Sequence, residues 1–161
     1  MRGPTCIFWA NLTPFPLRQP AARRVAVQLL DALAHLHAHD VCHCDVKVRF
    51  QTRAPCTPPR RFAWGHLTGW PAPQPENLLV FPGGQVQLAD FGLAQSGVAA
   101  AGESTQPGGS PGYQPPELVS GRSALGGWAP YDPRKLDSWA AATTVFTLLA
   151  GFFPLGRCAP L

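Results

Sequence analysis

The chain has 161 residues, with 13 basic and 9 acidic side chains, a formal net charge of +4 and a sequence pI near 9.0. That length suffices for one domain with a sizeable core. Four of the cations, Arg49, Arg53, Arg60 and Arg61, fall in residues 48–74, which hold no acidic residue, so the remainder is neutral and the basic balance does not argue for a nucleic-acid partner. The five cysteines are odd in number and form no paired framework, as in a reducing compartment. The apolar run at residues 6–10 is too short for a secretory leader. A cytoplasmic (intracellular) protein is expected.

Residues 1–19 form an irregular, proline-broken lead-in. Across residues 20–39, Ala22, Ala26, Leu29, Leu33 and Leu36 recur at spacings of four and three, and Val25, Val27 and Leu30 widen the apolar face. Pro20 suits the first turn of the amphipathic helix this predicts. Six potential soft-metal ligands lie together in His35, His37, His39, Cys42, His43 and Cys44. His35 and His39, at i and i+4, share a helix face and could grip zinc, although no second ligand cluster accompanies them.

Residues 48–74 hold five prolines, two tryptophans and four arginines with no period of either kind, and read as an inserted, disordered segment. Beyond them Leu78-Leu79-Val80, the turn Pro82-Gly83-Gly84 and Gln85-Val86-Gln87-Leu88 predict a β-hairpin. Residues 94–109 are small, polar and glycine-rich, as a mobile loop would be. Residues 136–151 are uncharged after Asp137, with Trp139, Val145, Phe146, Leu148 and Leu149 distributed round a helix, the pattern of a buried one. The 19 uncharged residues 138–156 approach the length of a bilayer span, but three threonines, Gly151 and Pro154 weigh against that.

Two separated pieces carry the chemistry. The first is Val41-Cys42-His43-Cys44-Asp45-Val46-Lys47. The second is Pro75-Glu76-Asn77-Leu78-Leu79-Val80, followed by Leu88-Ala89-Asp90-Phe91-Gly92. Asn77 follows Asp45 by 32 positions, and removal of the 27 residues 48–74 leaves five. The joined text resembles the H-R-D-x-K-P-E-N and D-F-G signatures of eukaryotic protein kinases. Gly109-Ser110-Pro111-Gly112-Tyr113-Gln114-Pro115-Pro116-Glu117 resembles the end of the kinase activation loop, with Pro115 in place of alanine. Leu136-Asp137-Ser138-Trp139 and Gly151-Phe152-Phe153-Pro154-Leu155 resemble the central helix of the kinase C-lobe.

The resemblance implies an α+β, mostly α-helical fold: an incomplete protein-kinase-like C-terminal lobe without the N-lobe and the last helices. The partial domain runs over residues 20–155, interrupted at 48–74, with a tail at 156–161. The implied activity is that of a protein serine/threonine kinase (EC 2.7.11.-), moving the γ-phosphoryl group of ATP to Ser/Thr hydroxyls of a protein substrate, with no nucleic-acid or membrane partner. Lys47, two positions after Asp45, marks the Ser/Thr rather than the Tyr branch. By the family pattern Asp45 accepts the substrate proton, Lys47 neutralises charge on the transferring group, and Ser110 hydrogen-bonds near both. Asn77 and Asp90 would hold Mg2+ as hard oxygen ligands. His43, Phe91, Gly92, Glu117 and Asp137 would be structural anchors, Asp137 for the catalytic-loop backbone and Glu117 toward a buried arginine, without which it would be unpaired, and destabilising if buried.

Three departures qualify this. Cys44 replaces the arginine that clamps a phosphorylated activation loop, so modification of Ser96, Ser104 or Thr105 is not expected to act through that clamp. The sequence has no G-x-G-x-x-G loop, V-A-I-K lysine or partnering helix glutamate, so the chain alone is expected to be inactive. A non-catalytic kinase-like binding module is the alternative, and a zinc-binding His/Cys cluster protein a minor one. Finally, Val48-Arg49 can be encoded by GTG-AGG and Gln74 by CAG, the forms of a splice donor and acceptor. Residues 48–74 therefore also read as intron sequence translated in frame.

Overall fold

The structure is a computed structural model that describes residues 17–48, 77–81, 84–97, 102–121, 128–150 and 153–154. The lead-in up to residue 16, the inserted segment from residue 49 and the tail at 156–161 lie outside the described residues.

Helix α1 (Gln19–Ala38) begins with proline in its first turn, where the missing N–H has no helical partner to lose. Ala22, Val25, Leu29 and Leu33 are buried at spacings of three and four, forming a single stripe toward the core. Val27 and Leu30, which the apolar pattern adds to that face, are about half exposed instead. Past the C-cap His39 the chain turns at a left-handed residue, Asp40, with φ of 57°, a conformation that a short polar side chain tolerates. The chain then enters strand β1 (Val41–Cys42).

Strands β2 (Leu78–Val80) and β3 (Val86–Leu88) form the expected antiparallel hairpin, with Leu78 opposite Leu88 and Val80 opposite Val86. Gln28 of α1 ties itself to this hairpin: its amide donates to the Gly84 carbonyl at 2.9 Å and its oxygen accepts from Val86 N–H at 3.0 Å. Strand β4 (Gln95–Ser96) pairs antiparallel with β1, Val41 opposite Ser96 and Cys42 opposite Gln95. The glycine-rich run therefore opens as paired strand and not as free loop.

A short helix, α2 (Pro116–Ser120), precedes the long helix α3 (Pro133–Ala150). The buried side of α3 is made largely of small residues, Ala140, Ala141, Thr143, Thr144 and Thr147, with Leu136 and Leu148. Small side chains let α1 pack directly against it. Phe146 and Leu149 are 40% and 42% exposed, so α3 is one-sided among the described residues and not apolar all round. No helix among the described residues is long and apolar enough to cross a membrane.

The core has two parts. One joins α1, α3 and the hairpin through Leu29, Leu33, Leu78, Ala141 and Leu148, and includes Val46, Val48 and Tyr113. The other gathers Cys42, Cys44, Leu118, Tyr131 and Leu136. Val48, counted above with the inserted segment, is thus a core residue in the structure, 6% exposed.

Candidate active site

The site is assembled from α3 outward. Asp137 is fully buried, a placement that is costly for a carboxylate unless its oxygens are hydrogen-bonded. Its Oδ1 accepts from Cys44 N–H at 2.8 Å, and its Oδ2 from His43 N–H and His37 Nε2, both at 2.9 Å. One helix side chain thereby fixes the backbone at Cys44, which is itself left-handed with φ of 61°.

His43 is also fully buried. Asp45 N–H donates to its Nδ1 at 3.3 Å, which leaves Nε2–H to donate to the Ala89 carbonyl at 3.1 Å. Its ring lies against Phe91 with centroids 4.8 Å apart. His43 thus ties the first signature piece to the second. Phe91 is otherwise about half exposed.

Asp45 is the point of convergence. Its Oδ1 accepts from Ser110 Oγ at 2.8 Å, while Oδ2 accepts from Lys47 Nζ at 2.9 Å and Asn77 Nδ2 at 2.7 Å. Lys47 Nζ also donates to Ser110 Oγ at 2.8 Å. Asn77 makes a second contact from Nδ2 to the Asp45 carbonyl at 2.7 Å. The two half-motifs, 32 positions apart in sequence, meet at one carboxylate.

With both acceptors on its Nδ2, Asn77 turns a buried Oδ1 that has no hydrogen-bond partner among the described residues. An orphaned buried acceptor calls for an explanation, and a cation is one. Ala89 N–H donates to the Asn77 carbonyl at 2.9 Å, which sets Asp90 one residue away from that contact. Asp90 is exposed, left-handed at φ of 60°, and its Oδ1 accepts from Gly92 N–H at 3.2 Å. A Cβ at Gly92 would come within 3.1 Å of that oxygen, so glycine keeps the turn open. An amide oxygen and a carboxylate are hard donors, the chemistry that Mg2+ takes.

Glu117 departs from expectation. It is exposed in the first turn of α2, so no buried, unpaired charge arises, and a carboxylate there is favourable to the helix dipole. The zinc reading is also redrawn. His35 and His39 stack on each other, centroids 4.3 Å apart, and His39 Nδ1 donates to the His35 carbonyl at 2.8 Å. The trio within ligand reach among the described residues is instead His37, Cys42 and Asp137, their ligand atoms within 4.8 Å of one another. Burial and the Asp137 charge push the Cys42 thiol up to about 12, so it is not a ready thiolate. His37 and Asp137 already serve the backbone anchor.

Sequence reasoning missed Tyr113. Its hydroxyl donates to the Val48 carbonyl at 2.7 Å and accepts from Val48 N–H at 3.4 Å, and its ring meets Phe153 edge-on at 5.1 Å. The tyrosine stands in the quoted activation-loop string, but its partner lies at the insertion boundary, where no motif pointed. Cys44 sits with its side chain fully buried, and burial, then Asp137, hold its thiol far above the ordinary range.

The sequence pattern of the protein kinase domain matches residues 74–158, just over half of the chain. The chain belongs to the protein kinase family, and what is described is an α+β fragment of such a domain. Similar proteins include "CBL-interacting protein kinase 4" of Oryza sativa subsp. japonica, 33% identical over 140 residues, covering 86% of this chain and 23% of the relative. "Serine/threonine-protein kinase STK11" of Homo sapiens is 28% identical over 142 residues, covering 87% of this chain and 25% of the relative. "CBL-interacting serine/threonine-protein kinase 24" of Arabidopsis thaliana is 30% identical over 144 residues, covering 88% and 24%. The chain spans about a quarter of the length of these relatives.

Proposed function

We propose that this chain carries the C-terminal-lobe half of a serine/threonine kinase active site, for transfer of the ATP γ-phosphoryl group to Ser/Thr hydroxyls of a protein. The observation that supports this most is the convergence of Lys47, Asn77 and Ser110 on the Asp45 carboxylate, all within 2.9 Å. Phosphoryl transfer depends on positioning and charge neutralisation more than on covalent chemistry. Asp45 is placed to accept the proton of an incoming hydroxyl, and Ser110, donating to the same carboxylate, holds it in place. Lys47 keeps a positive charge beside Asp45 and Ser110. Asn77 Oδ1 and Asp90 would hold Mg2+, which supplies charge neutralisation at the ATP phosphates.

The phosphate-covering loop and its lysine are not among these 161 residues, and the second reading is a non-catalytic binding module. The purified 161-residue chain is expected to show no ATP-dependent phosphorylation of a generic Ser/Thr substrate. Joined to a kinase N-terminal lobe, it is expected to transfer phosphate, and Asp45→Asn in that fusion should abolish the activity. A folded fusion that binds ATP but transfers nothing would establish the binding module instead.

A further inference from the structure

Tyr131, just ahead of α3, joins stretches of chain that neither the motifs nor the proposed reaction accounts for. It is 5% exposed. Its backbone exchanges two hydrogen bonds with Ser104, from Ser104 N–H to the Tyr131 carbonyl at 2.7 Å and back at 3.0 Å. Its phenol donates to the Gln106 carbonyl at 2.9 Å and accepts from Gln95 Nε2 at 3.1 Å. Gln95 is itself fixed on β4, opposite Cys42. One residue therefore grips the opening, the middle and the later part of the loop that leads to Ser110.

The loop is closed down on this grip. A Cβ at Gly108 would lie 2.5 Å from the Tyr131 phenol oxygen and 2.9 Å from Leu136 Cδ2, so the backbone packs directly on both. Gly109 N–H donates to the Cys44 carbonyl at 2.6 Å. Gln114 Nε2 donates to the Gly108 and Gly109 carbonyls at 2.8 and 3.0 Å. Beneath them Cys44, Tyr131, Leu118 and Leu136 form one apolar cluster. A loop ordered by phosphorylation needs a cation to receive the phosphate. The side chain at position 44 is instead a neutral thiol buried in that cluster.

We propose that Tyr131 is a phosphate-independent latch, a positioning residue that holds residues 95–97 and 102–109, and through them Ser110 against Asp45 and Lys47, without modification of Ser96, Ser104 or Thr105. What the held loop serves rests on the kinase reading; the latch itself rests on the hydrogen bonds just described. Loss of the phenol oxygen strands the buried Gln95 amide and unties the Gln106 carbonyl, which should raise local opening by roughly tenfold or more.

The test is hydrogen exchange followed by mass spectrometry on the full 161-residue chain. In Tyr131→Phe, amides of residues 102–109 should exchange at least about tenfold faster while those of α1 and α3 keep their protection. Gln95→Leu removes the other end of the same bond and should move residues 102–109 in the same direction; it carries the test alone if Tyr131→Phe does not fold. Gln28→Ala, which removes the two hydrogen bonds from α1 to the hairpin, should leave residues 102–109 unchanged. Unaltered protection of that loop in the Tyr131 and Gln95 variants overturns the latch, as does an equal loss of protection in α1 and α3. Chain phosphorylated at Thr105 should show no added protection; a tenfold gain overturns the phosphate independence. A fusion without kinase activity but with the latch intact would count against the kinase reading alone.

Discussion

Within residues 43–48, alternate side chains meet different partners. His43, Asp45 and Lys47 make the hydrogen bonds of the candidate site, while Cys44, Val46 and Val48 are buried in the two parts of the core. The polar set brings the chemistry and the apolar set supplies the position. Neither suffices, because a carboxylate on an unanchored loop would be free to leave its lysine, and about 1 Å of misplacement can cost roughly a hundredfold in rate. The difference also locates the departures from the family pattern. Those within residues 43–48 lie in the apolar set, with Cys44 in the arginine position and Val48 where the joined motif has Pro75.

The largest effect on this division should come from Asp137, whose carboxylate accepts from two successive backbone N–H groups of the loop. Asp137→Ala strands His43 N–H and Cys44 N–H in the core and leaves His37 without its acceptor. Removing one side of a buried, charge-assisted network costs about 3–5 kcal/mol, a large share of the stability of a small domain. Denaturant unfolding monitored at the tryptophans should show the loss. Asp137→Asn keeps one acceptor oxygen and should lose less. Equal, small losses in both variants would mean that the loop holds its own shape.

A second, intermediate effect bears on the apolar set through pH. Cys42 is pushed up from an ordinary 9.0 to about 12, and Tyr113 from 10.0 to about 12, in each case chiefly by burial. Cys44 and Tyr131 shift in the same direction, also chiefly by burial. For acids with raised pKa values the folded chain keeps protons that the unfolded chain gives up. Their contribution is therefore fully present below about pH 9 and is lost as pH rises toward 12. Unfolding free energy measured from pH 8 to 11 should fall, and Cys42→Ala should flatten the fall. A flat profile in the parent chain would show these groups to be solvated.

How much of this was legible follows the same division. The polar set could be read because the family pattern carries residue types at fixed spacings: Asp45, Lys47, Asn77 and Asp90 were visible as text once the excursion was removed. The α1 stripe and the hairpin were legible from period alone. Periodicity, however, reports a face and not what covers it. Val27 and Leu30 extend the pattern but stand half exposed, and α3 packs through alanines and threonines while Phe146 and Leu149 face outward. The contacts of Tyr131 with Gln95, of His37 with Asp137 and of Tyr113 with Val48 join positions 36, 100 and 65 apart. No local signal encodes such pairings. For Glu117 the family pattern supplied an arginine partner and left its burial open, and the side chain is exposed.

The smallest expected effect would sharpen the comparison most. Deleting residues 48–74 joins Lys47 to Pro75 and puts Pro75 in the core position of Val48. Proline has no N–H, so the Tyr113 hydroxyl would lose its 3.4 Å donor and keep a carbonyl like the one it meets now at 2.7 Å. Against that small loss, shortening the loop from 32 to five residues recovers about 1.5 kcal/mol of closure entropy. Asn77 already meets Asp45 with the excursion present, so the deletion need not build the site anew. The deleted chain should therefore fold with stability within about 1.5 kcal/mol of the parent, on the favourable side. That is the outcome expected if residues 48–74 are intron sequence translated in frame, a reading that the mature transcript tests independently. A loss of more than about 2 kcal/mol on deletion, the scale of a large-to-small change in a core, would instead make Val48 and the residues behind it part of the working structure.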